Sequence, residues 1–164
     1  MIRKADLQDI IAINEIYNQA VRMGFQTADT EAVSLRERQK WFKEHCDDSY
    51  PVFVYVSNDQ VVGWVSLSVY RKGRKALRFT AEVSYYIHQE WQKKGIGSQL
   101  LIYAIDRALE LGYKNLFAIL LEPNIGSIRL LEKHRFVKWG ELPRVADFDG
   151  QEFNHLYYGL RIQS

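Results

Sequence analysis

Gln92-Lys93-Lys94-Gly95-Ile96-Gly97 lies a little past mid-chain, between a strand-like run and a run of helical periodicity. From Ser98 onward Leu100, Leu101, Ala104, Ile105, Ala108 and Leu111 fall on one helical face, and Gly112 stops the helix. Upstream, Ala76 to His88 is rich in aromatic and β-branched residues and reads as one long strand. A helix that starts in such a loop exposes free backbone N–H groups and the positive end of its dipole. Two glycines let the backbone approach a ligand closely. Lys93 and Lys94 add positive charge. The combination is an anion cradle suited to a pyrophosphate. A Walker loop would end in Gly-Lys-Ser/Thr, which is absent. A dinucleotide fingerprint needs a third glycine where Leu100 stands, and it would open the first βαβ unit.

The rest of the chain can be read outward from that loop. Downstream, Leu116 to Leu121 is almost wholly apolar, the mark of a buried central strand. Pro123-Asn124 breaks it, residues 125–134 read as a helix, and strands follow near Val137–Val145 and Phe153–Ile162. Upstream, Ile2 to Lys4 reads as a short first strand. Asp6 caps a helix over residues 7–22, with Asp9 in its first turn. Residues 23–33 form a polar loop. Ser34 and Glu37 form a capping box for a second helix carrying Trp41 and Phe42. Val52–Ser57 and Val61–Tyr70 make a hairpin around Asn58-Asp59, and Arg71 to Arg74 form a basic turn. The order β, α, α, β, β, β, α, β, α, β, β predicts one α/β domain over residues 1–164 around a mixed sheet.

Composition narrows the function classes. With 22 Lys and Arg against 20 Asp and Glu, the net charge of +2 gives no pull toward nucleic acid or an anionic membrane. Any anion site must be local. No run approaches the ~20 apolar residues of a membrane span. Cys46 is the single cysteine, which rules out an internal disulfide and suits a cytoplasmic protein. It reads as an ordinary core or surface residue. The four histidines show no metal-ligand spacing, so no metal is expected.

Gln92-Lys93-Lys94-Gly95-Ile96-Gly97 resembles the Q/R-x-x-G-x-G/A motif of the GNAT superfamily of N-acetyltransferases. Asn124 through Phe136 resembles that family's second cofactor-side segment. Ile16–Val21, Thr30–Phe42 and Ala81–Ile87 are similar to the phosphinothricin (methionine sulfone/sulfoximine) acetyltransferase branch. The resemblance implies an α/β (α+β) fold with a mostly antiparallel central sheet. It implies acetyl-CoA as co-substrate, a small amine as acceptor, and a homodimer.

Residue by residue, the resemblance implies that Gln92, Lys93, Lys94, Gly95, Ile96, Gly97 and Ser98 hold the CoA pyrophosphate. Ile87 and His88 would carry the pantetheine arm along their backbone, with Asn124 and Ser127 nearby. Glu82 matches the branch's acidic residue on the central strand and would take a proton from the amine, directly or through water. It could instead be an exposed strand glutamate or a partner of Arg78. The oxyanion would be met by a backbone N–H near Tyr86 or Ile87, where the central strand splays from its neighbour. Phe25 and Thr27 in the 23–33 loop, and Arg74 and Arg78 at the strand turn, would face the acceptor. Taken singly, each arginine reads first as a solvated charge at the hairpin tip.

Two positions depart from the family. Leu131 stands where many members have a tyrosine, and this branch a histidine, to protonate the leaving thiolate. Arg135 stands where a glycine usually precedes the phenylalanine. The segment Phe148–His155 also departs from the branch's pattern, which leaves other acceptors open: a polyamine, an aminoglycoside or a protein N-terminus. A CoA-binding module without efficient catalysis is a further alternative.

Overall fold

The computed structural model describes residues 1–45 and 48–163. Cys46, and with it the expectation for its packing, lies outside them, as does Asp47. The elements are β1 (Ile2–Lys4), α1 (Ile10–Met23), α2 (Leu35–Glu44), β2 (Val52–Ser57), β3 (Gln60–Val69), β4 (Thr80–Ile87), α3 (Ile96–Glu110), β5 (Asn115–Leu121), α4 (Ile125–Lys133), β6 (Val137–Phe148) and β7 (Gln151–Arg161). Among the described residues the strands form one sheet in the order β1-β2-β3-β4-β5-β7-β6. All neighbours run antiparallel except β4 and β5.

The expected caps are present. The Asp6 carboxylate accepts from the Gln8 N–H at 2.8 Å, and the Asp9 carboxylate accepts from the Asp6 N–H at 2.9 Å. Residues 7–9 take a 3₁₀ turn before α1 begins. Ser34 and Glu37 close the capping box of α2. The sheet separates two cores. Leu100, Leu101, Ala104 and Ala108 of α3 pack on one face with Leu67, Val83 and Leu116. Ile13 and Ile16 of α1 and Phe42 of α2 pack on the other, with Val54 and Trp64. The Trp64 indole donates to the Ile13 carbonyl at 3.1 Å, pinning α1 to the sheet.

Two strand expectations need correction. The strand expected over Ala76–His88 starts only at Thr80, because residues 75–77 coil into a 3₁₀ turn, with Leu77 N–H on Arg74 C=O and Arg78 N–H on Lys75 C=O. β3 ends at Val69, paired to Ala81, so the earlier residues have no ladder to join. The terminal hairpin is longer than expected. Asp149 and Gly150 both have positive φ, 53° and 89°, giving a two-residue turn that continues β6 to Phe148 and starts β7 at Gln151. Pro143 falls in the irregular stretch of that ladder between Leu142 and Ala146, where a missing N–H is tolerated.

The feature that positions the site is the short β4–β5 pairing. Only Thr80, Ala81 and Glu82 pair with Asn115, Leu116 and Phe117. Beyond Glu82 the two strands part, while β4 stays paired with β3 as far as Ile87.

Candidate active site

Alternation along β4 sorts its side chains to two faces. Glu82, Ser84 and Tyr86 turn toward α1 and α2. Val83, Tyr85 and Ile87 turn toward α3. Three neighbouring spaces with shared lining residues result. A cavity of about 610 Å³ lies on the α1/α2 side, lined by Glu82, Ser84, Tyr86, Arg38, Thr27 and His155 among others. A groove of about 360 Å³ runs past the head of α3. A slot of about 40 Å³ lies between them in the β4–β5 gap. Gln26 lines all three.

In the cavity, burial pushes the Glu82 carboxyl above the ordinary carboxylate range, against an opposing hydrogen bond with Ser84. Arg78 takes no part: its guanidinium donates to the Lys75 carbonyl and lies 4.2 Å over the Phe79 ring. Burial lowers the His155 imidazole, which is therefore neutral at neutral pH and able to accept a proton. The Tyr17 hydroxyl contacts Thr27 Oγ1 at 2.7 Å and donates to Asp29 at 2.6 Å. Burial and Asp29 push that phenol up to about 12. Tyr86 lies between Tyr17 and Trp64, with ring centroids at 4.8 and 4.9 Å, and burial raises it too.

Arg38 is the feature the sequence did not disclose. It is 5% exposed, lying 4.3 Å over the Tyr17 ring and 4.7 Å over Trp41. Its Nε donates to Asn14 Oδ1 at 3.3 Å. No ion pair engages it among the described residues. A buried cation is normally paired, so this guanidinium is suited to an anionic group in the cavity. In sequence it sits inside an ordinary amphipathic helix, and only the fold turns it inward.

The groove collects most of the residues expected there. Ile87, Gln92, Lys93, Gly95, Gly97, Ser98, Asn124 and Ser127 line it, joined by Tyr85, Trp91 and Lys133. Lys93 and Gly95 both have positive φ, 59° and 81°, and no side chain caps α3. Its first N–H groups are therefore open to an anion. The Gln92 amide donates to the Ile87 carbonyl at 3.3 Å, closing the end of β4 against the loop. Asn124 accepts from the Ser127 N–H at 3.2 Å, so it is a helix cap at the groove wall.

Other expected residues sit outside these spaces. Lys94 lies 4.6 Å over the Trp91 ring, His88 accepts from the Glu90 N–H, and Ile96 is buried in the core. Phe25 packs edge-on against Phe148 and Phe153 at 5.2 and 4.7 Å, away from the cavity wall. Arg74 is exposed before the 3₁₀ turn, and neither it nor Arg78 lines the cavity. Its carbonyl and ring contacts hold Arg78 at the hairpin tip. Leu131 is 1% exposed and lines the slot, so it supplies no proton there. Arg135 keeps the left-handed turn that a glycine would take, at φ 66°. Its N–H bonds the Glu132 carbonyl at 3.0 Å. Among the described residues no cluster of three or more metal-ligating side chains occurs, and no helix is long and apolar enough to cross a membrane.

Comparison with known proteins agrees with this architecture. The chain is 38% identical over 162 residues to YwnH of Bacillus subtilis (strain 168), covering 98% of each chain. It is 35% identical to the L-methionine sulfoximine/L-methionine sulfone acetyltransferase of Salmonella typhimurium (strain LT2), covering 98% of this chain and 94% of that one. The crystal structure of a GNAT superfamily phosphinothricin acetyltransferase from Sinorhizobium meliloti in complex with AcCoA superposes with a TM-score of 0.93. That match is at 27% identity and covers 99% of this chain and 88% of that one. The pattern of the Acetyltransferase (GNAT) family matches residues 10–136, and the chain belongs to that family.

Proposed function

We propose that the protein transfers an acetyl group from acetyl-CoA to the primary amine of a small amino-acid-like acceptor. The observation that carries the acceptor side is the shared cavity of Arg38 and Glu82, one buried cation and one carboxyl raised by burial. An α-amino acid presents a carboxylate and an amine that fit this pair. The names of the Salmonella and Sinorhizobium relatives support the same class.

In this reading the groove at the head of α3 receives the CoA pyrophosphate through backbone N–H groups, with Lys93 and Lys133 adding charge. The pantetheine arm enters the β4–β5 gap and bonds to the free edge of β4. The amine reaches the thioester from the cavity side. The acceptor arrives as an ammonium; Glu82, ionised, takes one proton from it, and the raised basicity of a buried carboxylate suits that task. The nitrogen lone pair attacks the carbonyl carbon. A backbone N–H near Tyr86 or Ile87 donates to the oxyanion. The nitrogen gives its second proton to cavity water, and collapse expels the CoA thiolate and leaves the amide. The same reading takes residues 1–164 as one acetyltransferase unit, cytoplasmic, working as a homodimer.

The test follows free-thiol release from acetyl-CoA with methionine sulfone, methionine sulfoximine, phosphinothricin, polyamines and short peptides. Turnover is expected with the amino-acid sulfone class. Glu82→Gln should lower kcat by roughly 10²–10⁴ with CoA affinity intact. Preference for polyamines or peptides would overturn the acceptor class. Full activity in Glu82→Gln, lost instead in His155→Asn, would move the base to His155.

A further inference from the structure

On the face of β4 opposite Glu82, one polar group has no partner. The Tyr85 hydroxyl is enclosed and makes no hydrogen bond; among the described residues only Arg107 Nε shares that condition. Buried hydroxyls are normally satisfied, and an exception points to a partner that arrives later. Burial pushes the phenol up to about 12, with the neighbouring Ser127 hydroxyl, which meets no hydrogen-bond criterion with it, acting in the opposite sense. Tyr85 therefore keeps its proton across the working pH range and is available as a donor.

Its position suggests what it donates to. Tyr85 lines both the groove at the head of α3 and the slot in the β4–β5 gap. A chain running from one into the other must pass it. The slot wall is mixed: Val83, Ala118, Ile119, Leu120 and Leu131 form an apolar side, and Gln26, Ser84, Asn124 and Ser127 stand with Tyr85 on the rest. A thiolate expelled against the apolar side would need a donor from the polar one. Asn124 Oδ1 accepts from the Ser127 N–H, and the Tyr86 ring packs on Tyr17 across the sheet. Of the polar side chains on the slot wall, Tyr85 is the one whose hydroxyl is enclosed without a hydrogen bond.

We propose that the Tyr85 hydroxyl hydrogen-bonds the CoA sulfur as the carbon–sulfur bond breaks, making it the catalytic residue for the leaving group. The proposal rests on the acetyl-CoA reading above. The C–N bond forms from the amine lone pair, and the C–S electron pair collects on sulfur. The acceptor's ammonium gives one proton to Glu82 before attack and a second to cavity water as the amide forms; the thiolate takes one back from solvent on release, so one proton is released net. Tyr85 retains its own proton, since a thiol near ~8.5 is the stronger acid.

Calorimetric binding of CoA and of desulfo-CoA, to wild type and Tyr85→Phe at pH 9, separates the possibilities. CoA is then largely thiolate. Tyr85→Phe should weaken CoA binding about tenfold and desulfo-CoA by no more than about twofold, as expected for one hydrogen bond to a charged acceptor. In turnover, kcat should fall about tenfold with the KM for acetyl-CoA unchanged. Equal loss for both ligands would make Tyr85 a wall of the groove and overturn the proposal. So would no loss for either. Failure of wild type to bind either ligand would overturn the acetyl-CoA reading itself, and this proposal with it. The variant removes an unsatisfied hydroxyl, so its melting temperature should equal or exceed that of wild type.

Discussion

Arg38 and Glu82 line one cavity and form no ion pair with each other. Each is kept for something else. Arg38→Met preserves the packing on Tyr17 and Trp41 while removing the charge. The KM of a carboxylated amine should rise about tenfold to a hundredfold, the value of a charge-assisted hydrogen bond. The KM of the matching amine without its carboxylate should not change. Equal effects on both would assign Arg38 to packing alone.

Glu82 has a stability signature as well as a kinetic one. Its pKa is raised by burial, so the folded state holds the proton more tightly than the unfolded chain. Its contribution is therefore most favourable below the unfolded pKa and is lost as pH rises through the folded one. Glu82→Gln should melt higher than wild type at neutral pH, with the gap closing on acidification. In wild type, kcat/KM should rise with pH through the same raised pKa. A melting difference that grows toward acid would contradict this.

Much of this site was legible in the sequence, and the missing parts share a cause. The Gly95–Gly97 cradle, the capping boxes at Asp6 and Ser34, and buried β5 all rest on local signals, and the fold contains each. Arg38 and Tyr85 gave no such signal, because their importance comes from what they fail to meet in three dimensions. Phe25 looked like a cavity residue until the Asp149-Gly150 turn brought Phe148 and Phe153 beside it. Arg74 and Arg78 read as clamps from their place at the strand turn, and only the fold shows that this turn lies off the cavity wall.

Gly97 has a steric role. A Cβ there would stand 3.0 Å from Leu130 Cδ2, on the groove wall. Alanine is also the better helix former. Gly97→Ala should keep or raise the melting temperature while weakening CoA binding about tenfold or more, a loss of roughly 1.4 kcal/mol. Unchanged CoA affinity by calorimetry would remove Gly97 from the groove.

Gly159 is held open by Trp139. A Cβ at Gly159 would fall 2.0–2.4 Å from three ring carbons. Gly159→Ala should cost about 1–3 kcal/mol by chemical denaturation, as overpacking does. Adding Trp139→Ala should recover most of the loss. If the double variant is simply the sum of two losses, the contact is not the cause.

The early parting of β4 and β5 leaves an unpaired strand edge in the interior of the sheet rather than at its rim. Such an edge is vulnerable, because it invites any extended peptide as a partner. If the acetyl donor completes the sheet, the protein is sturdier when the donor is plentiful, since a ligand that binds only the native state stabilises it. Its lifetime against proteases and self-association would then follow the cell's supply of acetyl groups. Hydrogen exchange at Val83–Ile87, with and without CoA, would measure that dependence directly.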